Sequence, residues 1–105
     1  MKITVTDPNV VNAPSGLAAS VSGKVVTLRW ADNASNETGY YVERALKSGK
    51  GAGAYARVDT VPSGVTTYNE TVVAGSYYYR VQAFNSTTGR LSAYSNVVTV
   101  TVKSR

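Results

Sequence analysis

The chain has no cysteine and no histidine among its 105 residues, and only one tryptophan, one phenylalanine and one methionine. Without cysteine there is neither a disulfide nor a thiolate metal site, so apolar burial alone must outweigh the chain entropy lost on folding. The redox compartment stays open. Without histidine the chain lacks the side chain most used for proton transfer near neutral pH and the commonest metal ligand. That weighs against an enzyme, and no cofactor is expected. No apolar run is long enough to span a bilayer, so membrane insertion is not expected. Met1-Lys2-Ile3-Thr4-Val5-Thr6-Asp7 lacks the continuous hydrophobic stretch of a signal peptide, which places any export signal elsewhere. Carboxylates are scarce as well: six acidic residues stand against eleven Lys and Arg, for a net charge of +5. The cations scatter, with Lys47, Lys50 and Arg57 as the densest group, whereas nucleic-acid binders gather charge on one face among exposed aromatics. No nucleic-acid partner is expected.

What is present is tyrosine, eight of them, set in alternating segments. Side chains two apart on a strand share a face, so Val26, Leu28 and Trp30 face one way from the run Lys24 to Trp30, and Tyr77, Tyr79, Val81 and Ala83 face one way from Tyr77 to Asn85. Two such faces can bury each other. Turn residues punctuate the chain at short intervals, among them Ser22-Gly23, Asp32-Asn33, Thr38-Gly39, Pro62-Ser63-Gly64 and Thr88-Gly89, a pattern of short strands rather than helices. Strands are expected at Leu17 to Val21, Lys24 to Trp30, Gly39 to Ala45, Tyr55 to Val61, Thr67 to Thr71, Tyr77 to Asn85 and Asn96 to Val102. The expectation is an all-β, seven-stranded antiparallel β-sandwich of about one domain, burying roughly 60–70% of the surface of the unfolded chain.

Sites that carry chemistry are hard to find. Ser48-Gly49-Lys50-Gly51-Ala52-Gly53 lacks the Ser or Thr after Gly-Lys and the helix that a phosphate-cradling loop needs; its glycines suit a hairpin connection. Asp32, Glu37, Asp59 and Glu70 lie on different loops or strand ends, and a filled sandwich offers no cleft to hold two of them ~5–9 Å apart across a sugar. The oxygen-rich stretch Asp32 to Asn36 lacks the glycine and terminal glutamate of a calcium loop, and Asx turns account for its composition. Glu37 is expected to face Arg44. Asn-x-Ser/Thr sequons at Asn33, Asn36, Asn69 and Asn85 matter only if the source glycosylates secreted proteins.

Five motifs follow in order: Ala13-Pro14-Ser15-Gly16-Leu17, Leu28-Arg29-Trp30, Gly39-Tyr40-Tyr41-Val42-Glu43-Arg44, the run Tyr77 to Ala83, and Ser92-Ala93-Tyr94-Ser95-Asn96. Together they resemble a fibronectin type III module. The resemblance spans Ala13 to Val102 and implies an immunoglobulin-like sandwich, with Trp30 at the centre of the core and Tyr77 at a tyrosine corner; Tyr40, Tyr79 and Val81 join that core. The stretch from Asp32 to Tyr40 is similar to modules of bacterial secreted multidomain proteins, many of them glycoside hydrolases. One departure is Val73-Ala74-Gly75-Ser76, which lacks the proline the family often places before the sixth strand. The Thr88-Gly89-Arg90 loop lacks the Arg-Gly-Asp motif that some members carry there.

Residues 14–102 are thus expected to form the domain, 103–105 a tail, and 1–13 an arm or a linker from a preceding module. Ile3-Thr4-Val5-Thr6 echoes Val98-Thr99-Val100-Thr101, as a tandem repeat would. The resemblance implies a non-catalytic spacer or interaction module, monomeric, extracellular or at the cell surface, whose partners are neighbouring domains. An alternative is a weak carbohydrate- or protein-binding unit. Parity turns Tyr41 and Glu43 outward on the third strand and Tyr78, Arg80 and Gln82 outward on the sixth, so Tyr41, Tyr78 and Arg80 are expected side by side, fit to stack on sugar faces or to pack on one another. Surface adhesion, or decoration of a phage tail, is a third reading of the same scaffold.

Overall fold

The computed structural model describes residues 11–34, 37–48 and 51–103. Residues 1–10 of the expected arm, with the Ile3 to Thr6 echo, lie outside the described residues, as do Asn36 and the Gly49-Lys50 pair; of the rest of that arm, Val11 is buried in the core and Asn12 and Ala13 bond to Asn33. Among these described residues nine strands follow in chain order: β1 (Ser15–Ser22), β2 (Val25–Ala31), β3 (Gly39–Ser48), β4 (Gly51–Ala52), β5 (Ala56–Pro62), β6 (Thr67–Thr71), β7 (Gly75–Asn85), β8 (Arg90–Tyr94) and β9 (Val98–Val102). They form two antiparallel sheets. One has the order β1-β2-β6; in the other, β3 pairs with β4, β5 and β7, and β7 pairs with β8 and β9. The chain is an all-β sandwich.

Alternation sets which side chains meet. Val26, Leu28 and Trp30 from β2 are buried against Tyr40 and Val42 from β3 and Tyr77, Tyr79 and Val81 from β7. Trp30 meets Tyr40 edge to face at 5.4 Å, an arrangement that aligns ring edge with π-face. Gly39 begins β3 because nothing larger fits: a Cβ there would lie 2.5 Å from the Val61 carbonyl oxygen and 3.0 Å from the Phe84 ring. At the other end of β7 the Tyr77 hydroxyl donates to the Val73 carbonyl at 2.7 Å, tying the crossing segment to the core.

Seven strands were expected; β4 and β8 are additional, and the last strand begins at Val98 rather than Asn96. The reason lies in the length of β7. Its eleven residues expose more backbone than a five-residue β9 can satisfy, since buried amides and carbonyls must all find partners. The chain therefore turns at Gly89, with φ of 76°, and comes back as β8. Where β8 and β9 break register with β7, serines complete the ladder: Ala83 N–H donates to Ser92 Oγ and Val81 N–H to Ser95 Oγ, both at 2.9 Å. Asn96 does the same across the sandwich, its side-chain amide exchanging two 2.9 Å hydrogen bonds with the backbone of Leu17.

The strand directions place entry and exit at opposite ends. Ser15, where β1 starts, pairs with Ala31 beside the loop that leads to Gly39. Val102, where β9 stops, pairs with Gly75 at the far end of β7.

Candidate functional site

The outward face of the β3–β7 sheet holds the residues singled out for binding. Register separates them. Tyr41 pairs with Gln82, Glu43 with Arg80, and Ala45 with Tyr78, so Tyr41 and Tyr78 stand four positions apart, about 13 Å along the strands. The expected adjacency of Tyr41 and Tyr78 is not found. Parity names the face a side chain occupies, but the pairing offset, which parity leaves open, decides its neighbours.

Tyr41 and Arg80 each have partners of their own. The Tyr41 ring lies parallel to Phe84, with centroids 4.1 Å apart and planes 8° apart, and the Arg57 guanidinium sits 3.4 Å from the Tyr41 centroid. Phe84 comes from β7 and Arg57 from β5, on opposite flanks of β3. Arg80 lies between two phenol rings, 3.8 Å from the centroid of Tyr55 and 3.6 Å from that of Tyr94. It also donates through Nε to Glu43 Oε1 at 2.8 Å and pairs with it through Nη2 at 2.8 Å, while the Tyr94 hydroxyl donates to Glu43 Oε2 at 3.2 Å. Gln82 is buried and donates to the Ser92 carbonyl at 2.7 Å. Tyr78 is half-buried, with no ring stacked on it among the described residues. Cation–π contacts and a planar guanidinium–carboxylate pair stabilise such a face without any ligand.

Tyr55, Phe84, Tyr94 and Arg57 escaped the reading of the sequence. Tyr94 and Arg57 had a signal: each falls on a flanking strand where an outward side chain can reach the exposed residues of β3 and β7. Phe84 had one too, sharing the parity of Tyr78, Arg80 and Gln82.

A second polar cluster closes the gap between the sheets. Glu70, on β6, accepts from Arg44 at 2.7 Å, from the Tyr79 hydroxyl at 2.6 Å and from the Tyr68 hydroxyl at 3.0 Å. Arg44 therefore pairs with Glu70, not with Glu37 as expected, because it shares the inward parity of Tyr40 and Val42 and points across the sandwich. Glu37 instead accepts from Ser63 Oγ at 3.2 Å, Gly64 N–H at 3.3 Å and the Tyr40 hydroxyl at 3.4 Å. Burial, reinforced by the neighbouring Glu70 carboxylate, pushes the phenols of Tyr68 and Tyr79 well above the ordinary tyrosine range. Burial, with Asp32 and Glu37 nearby, does the same for Tyr40.

Among the described residues no three carboxylates are grouped to hold a metal ion, and no helix is long and apolar enough to cross a membrane. Asp32 and Asp59 each accept from a backbone amide of their own loop or strand, Ala34 and Thr60 respectively.

The sequence matches no protein-family model and no curated protein. Solved structures do match. A Fn3-like protein from Clostridium thermocellum is 32% identical, with a TM-score of 0.66 over 86% of this chain and 91% of that one. Part of a β-1,2-glucanase from Parabacteroides distasonis superposes with a TM-score of 0.73 at 22% identity, covering 89% of this chain and 13% of the glucanase. A structure of titin kinase and its flanking domains gives 0.72 at 27% identity, over 90% of this chain and 18% of that one. The chain thus spans a small fraction of those two longer proteins and nearly all of the first. Sandwich topology, the Trp30 core and the 32% identity over nearly the full length of a Fn3-like protein together show that this chain belongs to the fibronectin type III family.

Proposed function

We propose that the chain is a non-catalytic spacer and interaction module of an extracellular or cell-surface modular protein, in the setting of a carbohydrate-active enzyme. One observation carries the reading: the chain enters β1 at one end of the sandwich and leaves β9 at the other. Neighbours joined to those ends are held about 35 Å apart by the length of an eleven-residue strand. A flexible linker of about 90 residues would instead span a broad distribution centred near ~50 Å. The likeness to part of a glucanase supports the enzymatic setting. The carboxylates described above are each engaged in structural hydrogen bonds, which supports a role without catalysis.

Sugar stacking by Tyr41, Tyr78 and Arg80 receives less support, since Tyr41 lies between Phe84 and Arg57, and Arg80 lies between Tyr55 and Tyr94. The test is a distance distribution between spin labels on two folded proteins fused to the ends of the chain. A narrow distribution is expected. A width like that of a Gly/Ser linker of equal length overturns the spacer reading, and retention on insoluble chitin or cellulose would move the assignment to carbohydrate binding.

A further inference from the structure

We propose that the outer edge of β6 is a self-pairing surface, through which two copies of this chain join side by side about a two-fold axis at Asn69. The proposal goes beyond the spacer reading and does not depend on it.

β6 is an edge strand, bonded to β2 on one side. Two flanking hydrogen bonds fix which of its backbone groups are used: Trp30 N–H donates to the Thr66 carbonyl at 3.1 Å, and Val72 N–H to the Lys24 carbonyl at 2.9 Å. Between them the register runs without a shift, with Leu28 opposite Tyr68 and Val26 opposite Glu70. Bonded and non-bonded pairs alternate along an antiparallel ladder. Tyr68 and Glu70 therefore turn their amides and carbonyls to β2, while Thr67, Asn69 and Thr71 turn theirs away from it. Among the described residues nothing bonds to these outward groups.

Three other edges carry guards. Asn96 occupies the Leu17 backbone on β1 with two 2.9 Å hydrogen bonds. β5 breaks register with β3 between Asp59 and Arg57 and ends in Pro62, and β8 breaks register with β7. Bulges, prolines and charged side chains are the usual means of keeping sheet edges from pairing. β6 has neither bulge, proline nor lysine. Its one charge, Glu70, faces the opposite sheet and is already held by Arg44.

The strand is also its own complement. Laid antiparallel on a second copy about Asn69, the run Thr67-Tyr68-Asn69-Glu70-Thr71 sets Asn69 against Asn69, Thr67 against Thr71 and Tyr68 against Glu70. Every free amide then meets a free carbonyl. A slip of one residue would set free groups against used ones and turn each side chain to the wrong face. In the matched register, threonine and asparagine pairs line the polar face. Each Tyr68 hydroxyl, which donates to its own Glu70 at 3.0 Å, comes beside the carboxylate of the other copy. Two three-stranded sheets become one, in the order β1-β2-β6-β6-β2-β1, through an isologous contact that closes on itself. Five residues a side bury less than a standard interface, so the dimer is transient and concentration dependent.

The chain has no cysteine, which makes directed cross-linking a clean test. Bonded antiparallel pairs hold their Cα atoms about 5.5 Å apart, within disulfide reach. With dissolved oxygen as oxidant, Asn69→Cys should form a linked dimer severalfold faster than Thr99→Cys, an exposed control on β9. A mixture of Thr67→Cys and Thr71→Cys chains of different mass should give the mixed dimer in excess of either homodimer. Sedimentation equilibrium of the unaltered chain, up to about millimolar concentration, should show a reversible dimer. Asn69→Pro removes an amide that the fold itself leaves unused and should abolish the dimer with Tm nearly unchanged. Asn69→Lys, which sets two ammonium groups face to face, should do the same without altering the backbone. A chain that stays monomeric throughout that range, a dimer that survives Asn69→Lys, or equal cross-linking at Asn69→Cys and Thr99→Cys overturns the proposal. Amide shifts at Thr67, Asn69 and Thr71 on adding an alternating Thr-Val peptide to a chain that never dimerises would assign the edge to strand addition from another protein and overturn it as well.

Discussion

Replacing Glu70 by glutamine keeps the side-chain shape and removes its charge, which isolates the carboxylate's role between the sheets. Three donors converge on it: Arg44 at 2.7 Å, Tyr79 at 2.6 Å and Tyr68 at 3.0 Å. Tyr79 is fully buried, so its hydroxyl has no water to turn to. The glutamine oxygen can still accept from one phenol, but its amide group then opposes the remaining donors, and Arg44 loses its counter-charge. Breaking a fully buried ion pair costs about 3–5 kcal/mol. Here the side chains are 32% and 14% exposed, so water offsets part of the loss and ~2–3 kcal/mol is expected. For a domain of this size that lowers Tm by roughly 10–20 °C. Thermal melts followed by near-ultraviolet circular dichroism supply the number. The companion measurement is Arg44→Met with and without Glu70→Gln; once the arginine is gone, losing the carboxylate charge should cost about 1 kcal/mol less than it does alone. A Tm for Glu70→Gln within about 2 °C of the unaltered chain would refute the idea that this cluster fastens the two sheets.

Trp30→Ala should cost ~3–5 kcal/mol in denaturant unfolding. Trp30→Phe should cost far less, because the buried indole N–H has no acceptor among the described residues and its removal relieves an unpaired donor. Gly39→Ala should destabilise by about 1–3 kcal/mol, since the new methyl meets the Val61 carbonyl and the Phe84 ring; an unchanged Tm would mean that the start of β3 is looser than its contacts imply. Stability should also fall in alkali. The phenols of Tyr40, Tyr68 and Tyr79 ionise less readily in the folded chain than in the unfolded one, so their contribution is complete below about pH 10 and is lost as pH rises above it. Melting from pH 8 upward, with tyrosinate absorbance followed in parallel, should show Tm falling only once pH passes that point.

The layers could be read from the sequence because alternation ties each apolar residue of β2 and β7 to one face. The partners of charged residues were harder to see. Arg44 shares its parity with Tyr40 and Val42, and Glu70 shares its parity with Tyr68; two opposite charges pointing inward from different strands are an interpretable signal, because each demands a partner. Glu37 was nearer in sequence and drew the pairing away. The outward face was misread for another reason. Alternation gives no information about a stagger of two residues, which keeps every side chain on its face yet changes the neighbours of Tyr41 along β3 and β7. β8 hid in a segment whose serines and asparagine look like loop composition, although Ser92, Ser95 and Asn96 stand in for backbone partners there.

With entry at the start of β1 and exit at the end of β9, tension along the long axis runs parallel to both strands. The hydrogen bonds from β1 to β2 and from β9 to β7 are then loaded in shear, all together, instead of being unzipped singly from one tip. Rupture would require many bonds to fail in the same instant, so a fold this small can resist stretching beyond what its thermal stability alone suggests.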